Sequence, residues 1–350
     1  MRISSIQNFG IYQTNKQIQI SKTQNNKQST PCKTNIFYNP SHYTKISFGG
    51  LSKNTFTEET TLTTNFGTDL LKRIQKGENI DIIEETKEFL NQNGLTEVEI
   101  KPLTEASEAD SQTVGGYRDK YTEDMQYNGG ILYLAPIPKS NDKKELQWYV
   151  SVIAHELQHA IQHKETDMKS VFAKHNITDK EHIDIIMGYT SAPTIRNFAS
   201  HNMQIPPLQY CVNEYQKLGI PAYEVKNIAN DSKKYGTIFP SKGVRGLDND
   251  TIFKTYGGEK AFNKKVEDSL FQTFTAYDNS PQTEPFRTPE TYSALKDYYV
   301  IRLRNEAEAY QVASNINKKL NNIDNRFYTL NDLIPMAYTL VANKIEEIKI

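Results

Sequence analysis

His155, Glu156 and His159 stand in the order H-E-x-x-H within SVIAHELQHAIQHK, residues 151–164. On an α-helix, side chains four apart share a face, with Cβ atoms ~5–6 Å apart. That separation lets two imidazoles bind one tetrahedral Zn²⁺ through ring nitrogens at ~2.0–2.1 Å. Glu156, one residue beyond the first histidine, then reaches the water that such a metal activates without being a ligand itself. The chemistry these residues can carry is hydrolysis, with His155 and His159 as metal ligands and Glu156 as general base.

The constellation requires a helix with its histidines turned toward a cleft. Asp142 and Glu145 are spaced as an N-cap and a capping-box partner, just after Pro136, Pro138 and Ser140. Leu146, Val150, Ile153, Leu157, Ala160 and Ile161 then recur at helical spacing. At ~100° per residue this stripe lies roughly opposite His155 and His159, so the helix should bury its back. His163 continues the histidine series, but at 1.5 Å per residue it starts ~12 Å along the axis from His155. It is expected at the cleft rim or exposed.

A catalytic zinc takes three protein ligands and keeps one position open. A third histidine downstream on the same helix is absent: Gln162 stands where the extended motif has glycine, and Glu165 where it has histidine. A carboxylate on a later helix is therefore expected. Thr288 as N-cap and Pro289 at N1 open a long predicted helix running to about residue 320, and it carries Arg302, Glu306, Glu308 and Tyr310. Leu295, Tyr299, Leu303, Tyr310 and Ala313 cluster around the direction of Glu306, whereas Glu308 points with Asp297, Arg304, Gln311 and Asn315. A carboxylate within an apolar stripe needs a cation or a metal. Glu306 reads as a ligand, or as a salt-bridge partner of Arg302; Glu308 reads as solvated or as a partner of a ligand. Glu214 and Glu224 are alternative third ligands.

HELQHA followed by E-A-E-A-Y at 306–310 resembles the gluzincin-type zinc metallopeptidases. It is also similar to bacterial metallopeptidase families that combine an H-E-x-x-H-A-x-Q helix with a late E-A-[DE]-A helix. The resemblance implies a zincin-like α+β fold, predominantly helical, with a small sheet packed on the motif helix and a later glutamate-bearing helix. It implies one Zn²⁺ per chain held by His155, His159 and Glu306, Glu156 as catalytic carboxylate, and a protein or peptide substrate. Tyr310 is the nearest oxyanion donor in sequence. Three rival readings stand beside this one: a non-catalytic, zinc-stabilised binding module, an exported metallopeptidase acting on another cell's proteins, and a metal-free interaction protein.

Composition narrows the field. The chain has 350 residues, with 41 basic and 42 acidic side chains giving a net charge of −1. No basic stripe suggests nucleic acid, and no run of about 18 apolar residues suggests a membrane span. Cys32 and Cys211 are the only cysteines, too few for a disulfide framework. Residues 1–50 are polar and rich in Asn, Gln, Thr and Lys, and read as a disordered extension without a signal-peptide core. A cytoplasmic location is the expectation, with export by a dedicated secretion system as the alternative. Residues 51–350 read as one metallopeptidase domain with a largely helical insertion at about 166–287.

Helices are expected near 69–75, 80–91, 178–187, 207–218 and 258–277, and over 330–350 with Pro335 breaking or kinking the last. Strands are expected at 95–101 and 131–135, with a loop over 104–127. The second strand, Ile131, Leu132, Tyr133, Leu134 and Ala135, feeds into the motif helix. It is read either as a sheet edge that pairs with extended substrate or as an ordinary internal strand.

Overall fold

The computed structural model describes residues 58–106, 114–190, 213, 216–217, 219–235, 248–324 and 327–350. Helices α1 (Glu58–Gln75) and α2 (Ile82–Gln92) lead into strands β1 (Val98–Pro102), β2 (Gly115–Tyr121) and β3 (Tyr127–Leu134). The motif helix α3 (Lys143–Glu165) follows, then α4 (Met168–Ala173), α5 (Lys180–Tyr189), α6 (Ala222–Tyr235), α7 (Asn249–Thr255) and α8 (Glu259–Asp278). The chain closes with α9 (Pro289–Leu320) and α10 (Leu333–Glu347). The class is α+β and predominantly helical, as expected. No described helix is long and apolar enough to cross a membrane. The predicted helix at 207–218 and the extension at 1–50 lie wholly or largely outside the described residues.

The N-caps operate as read, but Asp142 N–H donates to Ser140 Oγ at 3.1 Å, where a capping box would give it Glu145. Asp142 caps α3 by accepting from Lys144 N–H at 3.0 Å, and Thr288 caps α9 by accepting from Thr291 N–H at 3.3 Å. All six residues of the α3 apolar stripe lie in one core with α1, α2 and the sheet. A second core joins α4 to α8 with α9 and α10. Helices α3 and α9 run between these cores in antiparallel contact. Gln147 near the start of α3 donates to Asn317 near the end of α9, and Gln162 near the end of α3 donates to the Asn305 carbonyl. Helix α1 packs on both; a Cβ at Gly67 would fall 2.6 Å from Ile316 Cδ1 and 3.2 Å from Ala154 Cβ, so glycine lets the three helices close together.

Three expectations need correction. Residues 115–121, read as loop, form β2, antiparallel to β3. Strand β3 is not an edge: β1 pairs with it in parallel on one side and β2 on the other. Ile131, Leu132, Tyr133 and Leu134 are buried, and Ala135 is tied through its carbonyl to Tyr149 Oη at 2.7 Å and through its N–H to Val114. The internal-strand reading therefore holds, and β2 is the edge strand next to the motif helix. Pro335 neither breaks nor kinks α10, because it is the third residue of that helix, where a backbone N–H has no intrahelical acceptor to lose.

Candidate metal centre

Across the α3–α9 contact, His155 Nε2 lies 3.0 Å from His159 Nε2. The Glu306 carboxylate lies 3.6 Å from His155 Nε2 and 3.7 Å from His159 Nε2. Tetrahedral zinc with ligands at ~2.0–2.1 Å sets its donor atoms roughly 3.3–3.4 Å apart, so the three donors converge at a metal's spacing. They form the one three-residue ligand group among the described residues. Glu224 sits buried on α6 outside it, and Glu214 lies outside the described residues.

The donor set itself asks for a cation. His159 Nδ1 lies 3.0 Å from Gln162 Oε1, and His155 is hydrogen-bonded to the Ala309 backbone. With those outer contacts made, both Nε2 atoms and a carboxylate face one point, and either a proton or a metal must sit among them. The proton affinities agree. Burial opposes charge on His155, but the Glu306 hydrogen bond, the Glu156 and Glu306 charges and the Ala309 backbone outweigh it and raise its pKa. Burial and the neighbouring His155 bring His159 down to about 4 against the pull of Glu306. Glu306, whose side chain keeps 28% exposure, is opposed by burial, but His159, His155 and Arg302 hold it at about 2.

Glu156 is 4% exposed and lies between the cluster and β2. A Cβ at Gly115 would be 3.7 Å from Glu156 Cγ, and the carboxylate accepts a hydrogen bond from the Tyr117 backbone. Burial, reinforced by Glu306 and opposed by His155 and the Tyr117 N–H, carries its pKa to about 7. A carboxyl near neutrality is suited to take a proton and return it.

The other expected residues fall around this centre. Tyr310 sets its ring edge-on to His155, 4.6 Å between centroids, and stacks on Tyr338 at 5.4 Å. Its hydroxyl is engaged with that of Tyr338, whereas an oxyanion donor would have to face the metal. Arg302 contributes charge that lowers Glu306 and Asp119 and opposes protonation of His159 and His163. Glu308 accepts from Gln162 Nε2 at 2.5 Å, so it partners a residue that contacts a ligand.

His163 is the clearest misplacement by sequence reasoning. It is wholly buried beneath β2, with Nδ1 2.8 Å from Tyr121 Oη and 3.1 Å from Asp119 Oδ2. Tyr117 and Tyr127 pack on its ring at 5.1 and 6.1 Å. Burial drives both titratable groups toward neutrality, Asp119 upward and His163 downward. The signal was the alternation Tyr117, Asp119, Tyr121 against Arg118 and Lys120. That is a strand whose inward face is polar because it meets a histidine. Replacing His163 by Leu should strand buried polar groups on β2 and cost ~1–3 kcal/mol of stability. Denaturant unfolding at neutral pH measures this, and an unchanged midpoint would show that His163 does not hold β2.

No protein-family model matches the sequence, and no curated protein or solved structure matches the chain.

Proposed function

We propose that the protein is a zincin-like, zinc-dependent peptidase. The observation that carries this reading is the convergence of His155 Nε2, His159 Nε2 and the Glu306 carboxylate beside a buried Glu156 whose pKa is raised to about 7. A purely structural metal would need the three ligands but not the fourth group. Bound zinc supplies Lewis-acid polarisation of a peptide carbonyl and of water. Glu156 takes the proton from water and delivers it to the leaving amine. The Tyr117 N–H holds its carboxyl in place through both transfers. The direct test is zinc stoichiometry of the purified chain together with hydrolysis of a peptide library. About one zinc per chain with chelator-sensitive cleavage supports the reading, whereas zinc binding without cleavage leaves a structural staple.

A recess next to His155 bears on which side chain the substrate presents. Trp148, Ser151 and Val152 line it from α3, Tyr310 and Ala313 from α9, Asn331 from the turn before α10 and Ile334 from its start. Such a wall suits a small apolar side chain, Ala or Val, next to the scissile bond. Ala313→Val should fill it and lower kcat/KM for peptides with Ala or Val there by ~10–200-fold, the worth of pocket contacts. The same peptides with Gly at that position should be cleaved nearly as before. Equal losses on both peptide sets would dismiss the recess as a specificity pocket.

A further inference from the structure

We propose that Glu308, acting through the Gln162 amide, fixes the tautomer and ring orientation of His159 and thereby sets the metal affinity of the centre. Gln162 is wholly buried between α3 and α9. Its Nε2 lies 2.5 Å from Glu308 Oε2 and 3.2 Å from the Asn305 carbonyl, and its Oε1 lies 3.0 Å from His159 Nδ1. An amide has a donor end and an acceptor end, and which is which normally has to be inferred from the surroundings. Here a carboxylate and a carbonyl, both acceptors, stand at one end. Turning the amide over would set its oxygen against both of them inside the protein. The NH₂ group must therefore face Glu308 and Asn305, and the oxygen must face His159.

The consequence passes to the ring. An oxygen at Nδ1 requires Nδ1 to carry the proton, which leaves the Nε2 lone pair directed at His155 Nε2 and Glu306. The Glu308 charge polarises the amide and strengthens its acceptor end, making His159 a better donor to a cation. Gln162 and Glu308 are positioning residues, since neither touches the reacting atoms. This inference rests on the metal-centre reading and adds a determinant of affinity to it.

The test uses the full chain, with zinc affinity from chelator competition and the His159 tautomer from imidazole ¹⁵N shifts in metal-free and zinc-loaded protein. Gln162→Leu should weaken zinc binding ~10–100-fold and abolish the Nδ1–H tautomer signature. Gln162→Glu alone opposes two carboxylates and should weaken it as well. The exchange Gln162→Glu with Glu308→Gln restores an acceptor toward His159 and a donor behind it, leaves only the Asn305 carbonyl opposed, and should bind zinc more tightly than Gln162→Glu alone without fully reaching the parent. A merely structural role would lower the melting temperature in all three without that recovery. If Gln162→Leu does not fold, the Gln162→Glu variant and the exchange decide. Parent-like affinity and tautomer in Gln162→Leu, or no recovery on exchange, would overturn the proposal. A parent that binds no zinc overturns the metal reading instead, and the metal-free tautomer comparison still decides this one.

Discussion

Glu156→Gln is expected to keep zinc at parent stoichiometry and to lower peptide hydrolysis by ~10²–10⁴-fold, the range of a lost general base. The amide matches the carboxyl in shape, can still accept from Tyr117 N–H, and fits the same gap beside Gly115. Only the capacity to take a proton is removed. A second signature belongs to the metal-free protein. Burial raises Glu156 from about 4.5 to about 7, so the folded state holds this proton more tightly than the unfolded chain does. Stability from that proton is fully present below pH about 4.5 and is lost as pH rises through about 7. The Gln variant has no such loss, and its melting temperature should exceed the parent's at pH 8 but not at pH 4. Cleavage by the variant at the parent rate would end the proposed role of Glu156.

Legibility in the sequence followed the kind of force involved. Helix α3 was readable because its cap and its apolar stripe are local signals that agree with each other, and both act in the structure. The placement of Glu306 beside the two histidines was legible from a conflict, a carboxylate among Leu303, Tyr299 and Tyr310, which calls for a cationic partner. What escaped was organised by polar contacts between distant segments. Strand β2 buries Tyr117 and Asp119 against His163 instead of an apolar face, so no hydrophobic alternation announced it. The same pairing hid the fate of His163, whose helical direction was legible but whose cover, 42 positions earlier at Tyr121, was not.

Sheet order was equally invisible. The run Ile131 to Leu134 has the composition of a buried strand, and only the partners on its two sides show it to be central. Likewise Gln162 looked like a mere departure from a longer histidine motif. Its role emerges from Asn305 and Glu308, 143 and 146 positions away. The first half of α1 was missed for a related reason. Thr63, Thr64 and Thr68 are polar and β-branched, yet they are buried at a helix contact that Gly67 keeps close.

Glu306→Gln should weaken zinc binding more than any of the surrounding changes, by at least ~10²-fold at pH 8, beyond the ~10–100-fold typical of groups that only orient a ligand. The amide removes the anionic donor and leaves two imidazoles to hold a dication. The pH dependence should change with it. In the parent, zinc must displace a proton from His155, whose pKa is raised above 6.5 chiefly by Glu306 acting against burial. Parent affinity should therefore fall about tenfold per pH unit once pH drops below that raised value. His159, at about 4, and Glu306, at about 2, lose no zinc-binding capacity in that window. With Glu306 replaced, His155 loses its main support and burial pulls its pKa down, so the affinity plateau should extend to lower pH. The variant thus binds more weakly at pH 8 but is less sensitive between pH 7 and 5. Chelator competition across that range separates the outcomes. A variant that loses affinity with an unchanged pH profile would mean Glu306 does not govern the proton on His155, and one with parent affinity would remove Glu306 from the ligand set.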